Sequence, residues 1–314
     1  MDKRKMPAGK RIRKRDPRKD WQLYIFLILP VTYLIVFKYL PMGGVIIAFK
    51  DFKVRQGIWG SDWIGFEKFV KFFTSYEFWR VLKNTVILSA YTILASFPIP
   101  IVFALMINSV RNEKFKKITQ TVVNMPHFIS VVVIVGILFT VFHNRNGLYG
   151  NVVHMITGEY PTDIFGSPAA FRHFYVWSDV WQNFGWNSII YTAALASVDP
   201  AYHEAAQIDG ASRFKRILYV DLPAIMPTII TMLILRMGTV MTIGFEKVYL
   251  MQNSLNLSAS QLISTYVYEV SLSSAGNGDF AYGTAIGLFN NVVEFILVLV
   301  VNKISKRVSE TSLW

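Results

Sequence analysis

The chain contains no cysteine, so disulfides, thiolate metal ligands and cysteine nucleophiles are excluded and thiols give no clue to its redox compartment. Charge is scarce as well. Asp, Glu, Lys and Arg make up only 17% of 314 residues, and they fall in clusters separated by long apolar stretches. No Gly-x-x-x-x-Gly-Lys-Ser/Thr phosphate loop occurs, so the chain carries no signal for nucleotide hydrolysis of its own. There is no low-complexity tract beyond a basic N-terminal tail. No internal repeat is visible, which leaves the inverted halves of many secondary transporters without support.

What the chain has in abundance is apolar surface. Hydrophobic residues reach 53% and aromatics 15%, and the mean hydropathy is +0.37, more than a soluble core requires. The apolar stretches approach the roughly 20 residues that cross a ~30 Å hydrocarbon layer. A net charge of +12 would suggest nucleic-acid binding in a soluble protein, but ten of the 32 Lys and Arg precede Trp21, directly before an apolar run. That placement fits retention on the cytoplasmic side of a membrane, with no nucleic-acid partner. The first run is too long for a signal peptide, lacks a small-residue cleavage site and leads into Lys38 and bulky residues, so it reads as an uncleaved span.

Long apolar stretches place helices at about 22–40, 84–108, 120–142, 174–197, 225–250 and 280–302. The sequence thus predicts an all-α polytopic membrane protein with six transmembrane helices and both termini cytoplasmic. With the N-terminus inside, twenty Lys and Arg lie on the inner side and eight in the outer loops, as the positive-inside rule requires. The predicted layout is a basic tail at 1–21, a six-helix transmembrane bundle at 22–302 and a C-terminal cytoplasmic tail at 303–314. Asp179, Gln182, Asn183 and Asn187 make the fourth span the least hydropathic, although Tyr175, Trp177, Trp181 and Trp186 suit an interfacial belt. Pro30, Pro98, Pro100, Pro126 and Gly136 suggest kinks inside spans rather than span ends.

The stretch 198–223 between spans four and five is predicted to form two short helices. Glu204, Ala205 and Ala206 favour the first helix after Pro200, Gly210 ends it in the left-handed conformation, and Ser212 caps the second. An alanine-rich helix-turn-helix permits close backbone approach to a groove on another protein. An amphipathic connector lying on the bilayer surface has the same local pattern.

Glu204-Ala205-Ala206, Gly210 after three intervening residues, and Leu222-Pro223 resemble the loop of type I ABC importer permeases, with Val220 where the family usually has isoleucine. Asp209-Gly210-Ala211, and the stretch from Tyr282-Gly283-Thr284-Ala285 through Lys303 to Trp314, resemble the carbohydrate and oligosaccharide branch. The resemblance implies the type I importer permease fold in a bacterial inner (plasma) membrane. It further implies a second homologous permease, two ATPase subunits that carry ATP and Mg, and an extracytoplasmic solute-binding protein. This chain then binds no cofactor itself. In that family the loop helix docks on the ATPase, which assigns the coupling contact to Glu204, Ala205, Ala206, Asp209, Gly210, Leu222 and Pro223.

Polar groups at membrane depth are functional candidates because they are costly in lipid. Thr228, Thr231, Arg236, Thr239, Thr242 and Glu246 project within about 140° on a continuous fifth helix, with Arg236 and Glu246 about 15 Å apart. Asn183, Asn187 and Tyr191 on span four, and Asn290 and Glu294 on span six, each follow an i,i+4 spacing. Asn183, Trp186, Arg236, Glu246 and Asn290 are therefore expected to border a translocation path, although the same residues suit helix packing.

Enzyme readings have weaker support. His203-Glu204-Ala205-Ala206-Gln207 resembles a zinc-protease helix but has Gln207 where the second histidine belongs, and no nearby ligand set completes a metal site. Asp62, Asp163 and Asp179 form no paired glycosyltransferase motif. A tail of about a dozen residues after Lys303 is too short for a receptor's cytoplasmic domain. An ion-gradient-driven transporter remains the alternative to an ATP-driven importer.

Overall fold

A computed structural model describes residues 21–272 and 278–309. The basic tail at 1–20 and the C-terminal residues 310–314 lie outside the described residues. Thirteen helices carry the account: α1 (Trp21–Leu34), α2 (Glu67–Thr74), α3 (Tyr76–Ser96), α4 (Pro98–Asn108), α5 (Glu113–Asn124), α6 (Val131–Val141), α7 (Leu148–Thr157), α8 (Pro168–Ala196), α9 (Pro200–Ile208), α10 (Leu222–Met237), α11 (Phe245–Met251), α12 (Ile263–Leu272) and α13 (Phe280–Ser309). Among the described residues, four helical stretches are long and apolar enough to cross a membrane: Tyr24–Phe49, Tyr76–Asn108, Arg213–Met237 and Phe280–Arg307. The pair Glu113–Phe128 and Val131–Val141, bent by 95°, makes a fifth if it is one span.

Helix α8 is the axis of the bundle. Its 29 residues begin at the Ser167 cap and Pro168 and pack against α3, α4, α5 and α10; at 1.5 Å per residue it is about 44 Å long. It falls outside the apolar set because Asp179, Gln182, Asn183 and Asn187 interrupt it, and it can carry them because Gln182 donates to Ile129 O at 2.9 Å inside the bundle. Leu88, Val135, Phe165, Phe171, Val176, Val180 and Leu262 form the core around it. By contrast α1 is exposed along its apolar length: Phe26 is 79% exposed and Leu29 78%.

Proline acts where the sequence suggests, though not everywhere. Phe97 breaks α3 from α4, with Pro98 opening α4. Pro126 sits in the 3₁₀ turn of the 95° bend, and Ser130 caps α6 by accepting from Val133 N at 3.4 Å. Gly136 lies inside an unbroken α6.

The largest departure from expectation concerns the fifth span. The apolar helical stretch starts at Arg213 and ends at Met237, not at 225 and 250. Residues 238–244 form turns closed by Gly244 at φ 45°, and the short α11 follows. A tertiary contact holds the break: the Glu294 carboxylate accepts from Met241 N at 3.0 Å, and Ser89 donates to Val240 O. The polar stripe expected from Thr228 to Glu246 is therefore continuous only to Arg236. Thr239 and Thr242 belong to the turns and Glu246 to a separate helix, so the 15 Å spacing drawn from one helix does not apply.

Two-residue strands, Lys50–Asp51 and Asp62–Trp63, pair antiparallel in the loop after the first span and add a small exception to an all-α reading. Lys50, 8% exposed, fastens this loop by donating to Ile58 O at 2.8 Å and Ser61 O at 3.2 Å. Helix α2 then packs Phe72 against Phe78, Tyr282 and Phe289. Lys68 and Lys71 reach Asp279, before α13, at 3.0 and 3.7 Å. Burial would raise the Asp279 carboxyl, but the Tyr282 N–H and the two ammonium groups outweigh it and hold the carboxyl below its ordinary value. Helix α13 continues through Ser309, so a tail set off at 303 is not a separate element up to that residue.

Candidate functional sites: an exposed loop helix and a series of cavities

The loop helix α9 is built by local rules. The Asp199 side chain accepts from Ala201 N at 2.9 Å and Pro200 supplies the first turn. At the other end Gly210 takes φ 74°, and Ala211 N donates to Ala206 O at 2.9 Å, closing a Schellman-like turn. Ser212 caps the next turn by accepting from Lys215 N at 3.4 Å. Glu204, Ala205, Asp209 and Gly210 are exposed and Ala206 half-buried, while Ile208 at the tip is 86% exposed. An ordered helix that presents an apolar tip and small side chains has the form of a docking knob.

Leu222 and Pro223 are not on that knob; they start α10. The two parts are joined by a contact between residues 18 apart in sequence: His203 Nε2 lies 3.1 Å from Asp221 Oδ1, and the Asp221 side chain is only 4% exposed. His203 thus serves as a strut between α9 and the membrane helix rather than as half of a zinc site. Among the described residues no group of three or more His, Asp or Glu is placed to hold a metal.

Three cavities follow α8 toward this loop. The first, of about 640 Å³, is lined by His127, Asn183, Asp179, Tyr175, Glu246 and Lys247 among others. A second of about 350 Å³ shares Tyr175, Asp179, Thr242 and Gly244 with it and adds Arg236. The third, of about 380 Å³, shares Arg236 and Thr239 with the second and adds Trp186, Asn187 and Tyr191.

Within this series the polar groups are ordered. Asn183 Nδ2 donates to Asp179 Oδ1 at 2.9 Å, which leaves the Asn183 oxygen to accept from His127 Nδ1 at 2.9 Å. The His127 ring stacks on Trp186 at 4.5 Å with planes 7° apart. A hydrogen-bonded amide beside a flat aromatic pair offers donors, acceptors and a face for C–H groups, the combination that binds a polyhydroxylated ring.

Of the five residues expected on a path, Asn183, Trp186, Arg236 and Glu246 line these cavities. Asn290 lines none of the three: it is buried on α13 with its Oδ1 unpartnered, one turn before the Glu294 that holds the break. Neither His127 nor Lys247 is singled out by the sequence pattern. His127 carries no local signal, but Lys247 does, since an ionisable side chain inside the apolar run of 225–250 meets the rule that marks Arg236.

The comparisons with known proteins cover nearly the whole chain. The model of the family described as "Binding-protein-dependent transport system inner membrane component" matches residues 96–309. The chain is 41% identical over 297 residues to Protein LplB of Bacillus subtilis (strain 168), covering 95% of this chain and 92% of that one. It is 38% identical over 292 residues to the polygalacturonan/rhamnogalacturonan transport system permease protein YteP of the same organism, covering 93% and 90%. Among solved structures, a chain of a bacterial alginate ABC transporter in complex with an alginate pentasaccharide-bound periplasmic protein aligns with TM-score 0.85 and 36% identity, over 94% of this chain and 98% of that one.

Proposed function

The chain belongs to the inner membrane components of binding-protein-dependent transport systems, and from that premise we propose that it is the permease subunit of an ATP-driven importer of a sugar or oligosaccharide. It is a multi-pass inner-membrane protein and a transport subunit, not an enzyme. In this reading six spans cross the membrane with both termini cytoplasmic, α8 being the polar one that the bundle shelters. The chain pairs with a second, homologous permease, and an external binding protein delivers the cargo. Two ATPase subunits hold ATP and Mg and drive the cycle.

The observation that carries the proposal is α9. Its exposed face of Glu204, Ala205, Asp209 and Gly210 is capped at both ends, and His203–Asp221 ties it to α10, so a push on the helix is delivered to a wall of the cavities through Arg236. Asn183, Trp186, Arg236 and Glu246 form the path, and Asn290 supports it from α13. The carbohydrate assignment rests on the amide-and-aromatic lining together with the polysaccharide and oligosaccharide transport named for the relatives.

Uptake into proteoliposomes that contain this chain and its co-purifying subunits tests the reading. Uptake that requires internal ATP and the binding protein, and survives collapse of ion gradients, is the expected result. Uptake that dies with the gradient and ignores ATP would assign the chain to secondary transport instead.

A further inference from the structure

Lys247 is a charge with no evident structural purpose. The residue is 4% exposed and its ammonium accounts for none of the ion pairs or hydrogen bonds among the described residues. Its one close polar contact is the face of the Tyr175 ring at 5.3 Å, which repays only part of the cost of removing an ammonium from water. Asp179, on the same cavity wall, is beyond ion-pair distance and has one oxygen committed to Asn183. Gly244, three residues earlier, makes room for the Tyr175 ring where any Cβ would strike the phenol oxygen. The Arg236 side chain lines the adjoining cavity, and its guanidinium makes no ion pair among the described residues. Glu246 on the rim is exposed, so water screens its charge far more than protein screens the buried ammonium.

Resting on the reading that these cavities carry a saccharide, we propose that Lys247 is a carboxylate-binding residue of the path and that the cargo is an acidic, uronate-type saccharide. A carboxylate entering the 640 Å³ cavity supplies the ion-pair contact that Lys247 lacks, while His127, which lines the same cavity and is stacked on Trp186, offers a ring to the sugar. Arg236 offers the next cationic station. Asp179, shared by the two cavities, opposes tight capture at either one, which is what passage requires.

The test uses the complete transporter in ATP-loaded proteoliposomes, supplied with a mixture of hexuronate oligosaccharides and the same oligosaccharides after carboxyl reduction, with vesicle contents read by mass spectrometry. Wild type is expected to import the carboxylated set. Lys247→Met, which keeps length and removes charge, is expected to lower that import at least tenfold and import of the reduced set less than twofold, with Lys247→Arg restoring the carboxylated set. Because every variant uses one binding protein, selection upstream cancels. Equal loss of both sets, no loss of either, or wild-type import of the reduced set alone would overturn the inference while leaving the importer reading intact. Wild-type import of neither set, with ATP and the binding protein present, would overturn both.

Discussion

The loop helix α9 and the cavities along α8 use the same kinds of side chain in opposite ways. In α9 Glu204 and Ala205 of the Glu-Ala-Ala motif are exposed and the backbone is satisfied locally, by Asp199 at one end and Gly210 at the other. Along α8 the polar groups are turned toward one another across elements, as in the chain from Asp179 through Asn183 to His127. In the proposed function α9 is a docking surface, which must keep its shape before its partner arrives, and the cavities are a path, which must hold polar groups ready for a cargo while excluding other occupants. His203–Asp221 is where the two regimes meet, a buried carboxylate on the bundle held by a partly exposed ring on the knob.

The comparison is broken most severely by Gly210→Pro. Gly210 takes φ 74°, whereas proline fixes φ near −65°, so the first helix loses its stop. ATP-driven uptake is expected to fall to background while the amount of inserted protein is unchanged, as read by transport and by membrane quantitation of the same vesicles. Cutting the strut is expected to do less. His203→Ala leaves Asp221 buried without its partner and should cost about 1–3 kcal/mol, below the figure for a fully buried pair because His203 is partly exposed. A double-mutant cycle with Asp221→Asn, followed by thermal unfolding in detergent, should show the two effects to be non-additive.

On the cavity side, Gly185→Val sharpens the contrast. A Cβ at Gly185 meets Val123 O at 2.5 Å and Asn124 Oδ1 at 2.7 Å, so α5 and α8 must separate just beside the His127–Trp186 stack. The expected outcome is about 1–3 kcal/mol of destabilisation with weaker binding of cargo in equilibrium titrations, and α9 still able to capture its partner. The smallest effect is expected far from both regions, at Asp279. Its carboxyl is held below the ordinary value of 3.8, so its contribution is complete above that value and is lost as pH falls through the lower, folded value. With Asp279 and Lys68 both partly exposed, Asp279→Asn should remove at most about 1 kcal/mol at neutral pH and flatten the loss of stability measured as pH falls below 3.8.

The same contrast explains what could be read from the amino-acid sequence. The loop was legible because its signals are local: Pro200 at the start, Gly210 in the left-handed region and Ser212 as a cap need no distant partner. Long apolar spans were legible for the same reason. The end of the fifth span was not, since Glu294 and Ser89 hold the break at residues 238–244 from other helices. Periodicity continued through that break and aligned Thr239, Thr242 and Glu246 on a helix that has already ended. Asn183 and Trp186 were found by their polarity and aromaticity on α8, whereas the ring that joins them, His127, comes from the bend between α5 and α6 and has no sequence signal of its own.

The central claim, that α9 delivers the force of an ATPase to this bundle, is tested most directly by crosslinking. Because the chain has no cysteine, Ile208→Cys provides a single attachment point at the exposed tip for a short photo-crosslinker. The predicted result is an adduct with a co-purifying ATPase subunit that blocks ATP-driven uptake. Efficient labelling of Ile208→Cys with no ATPase adduct, while ATP-driven uptake proceeds unimpaired after illumination, would contradict the account.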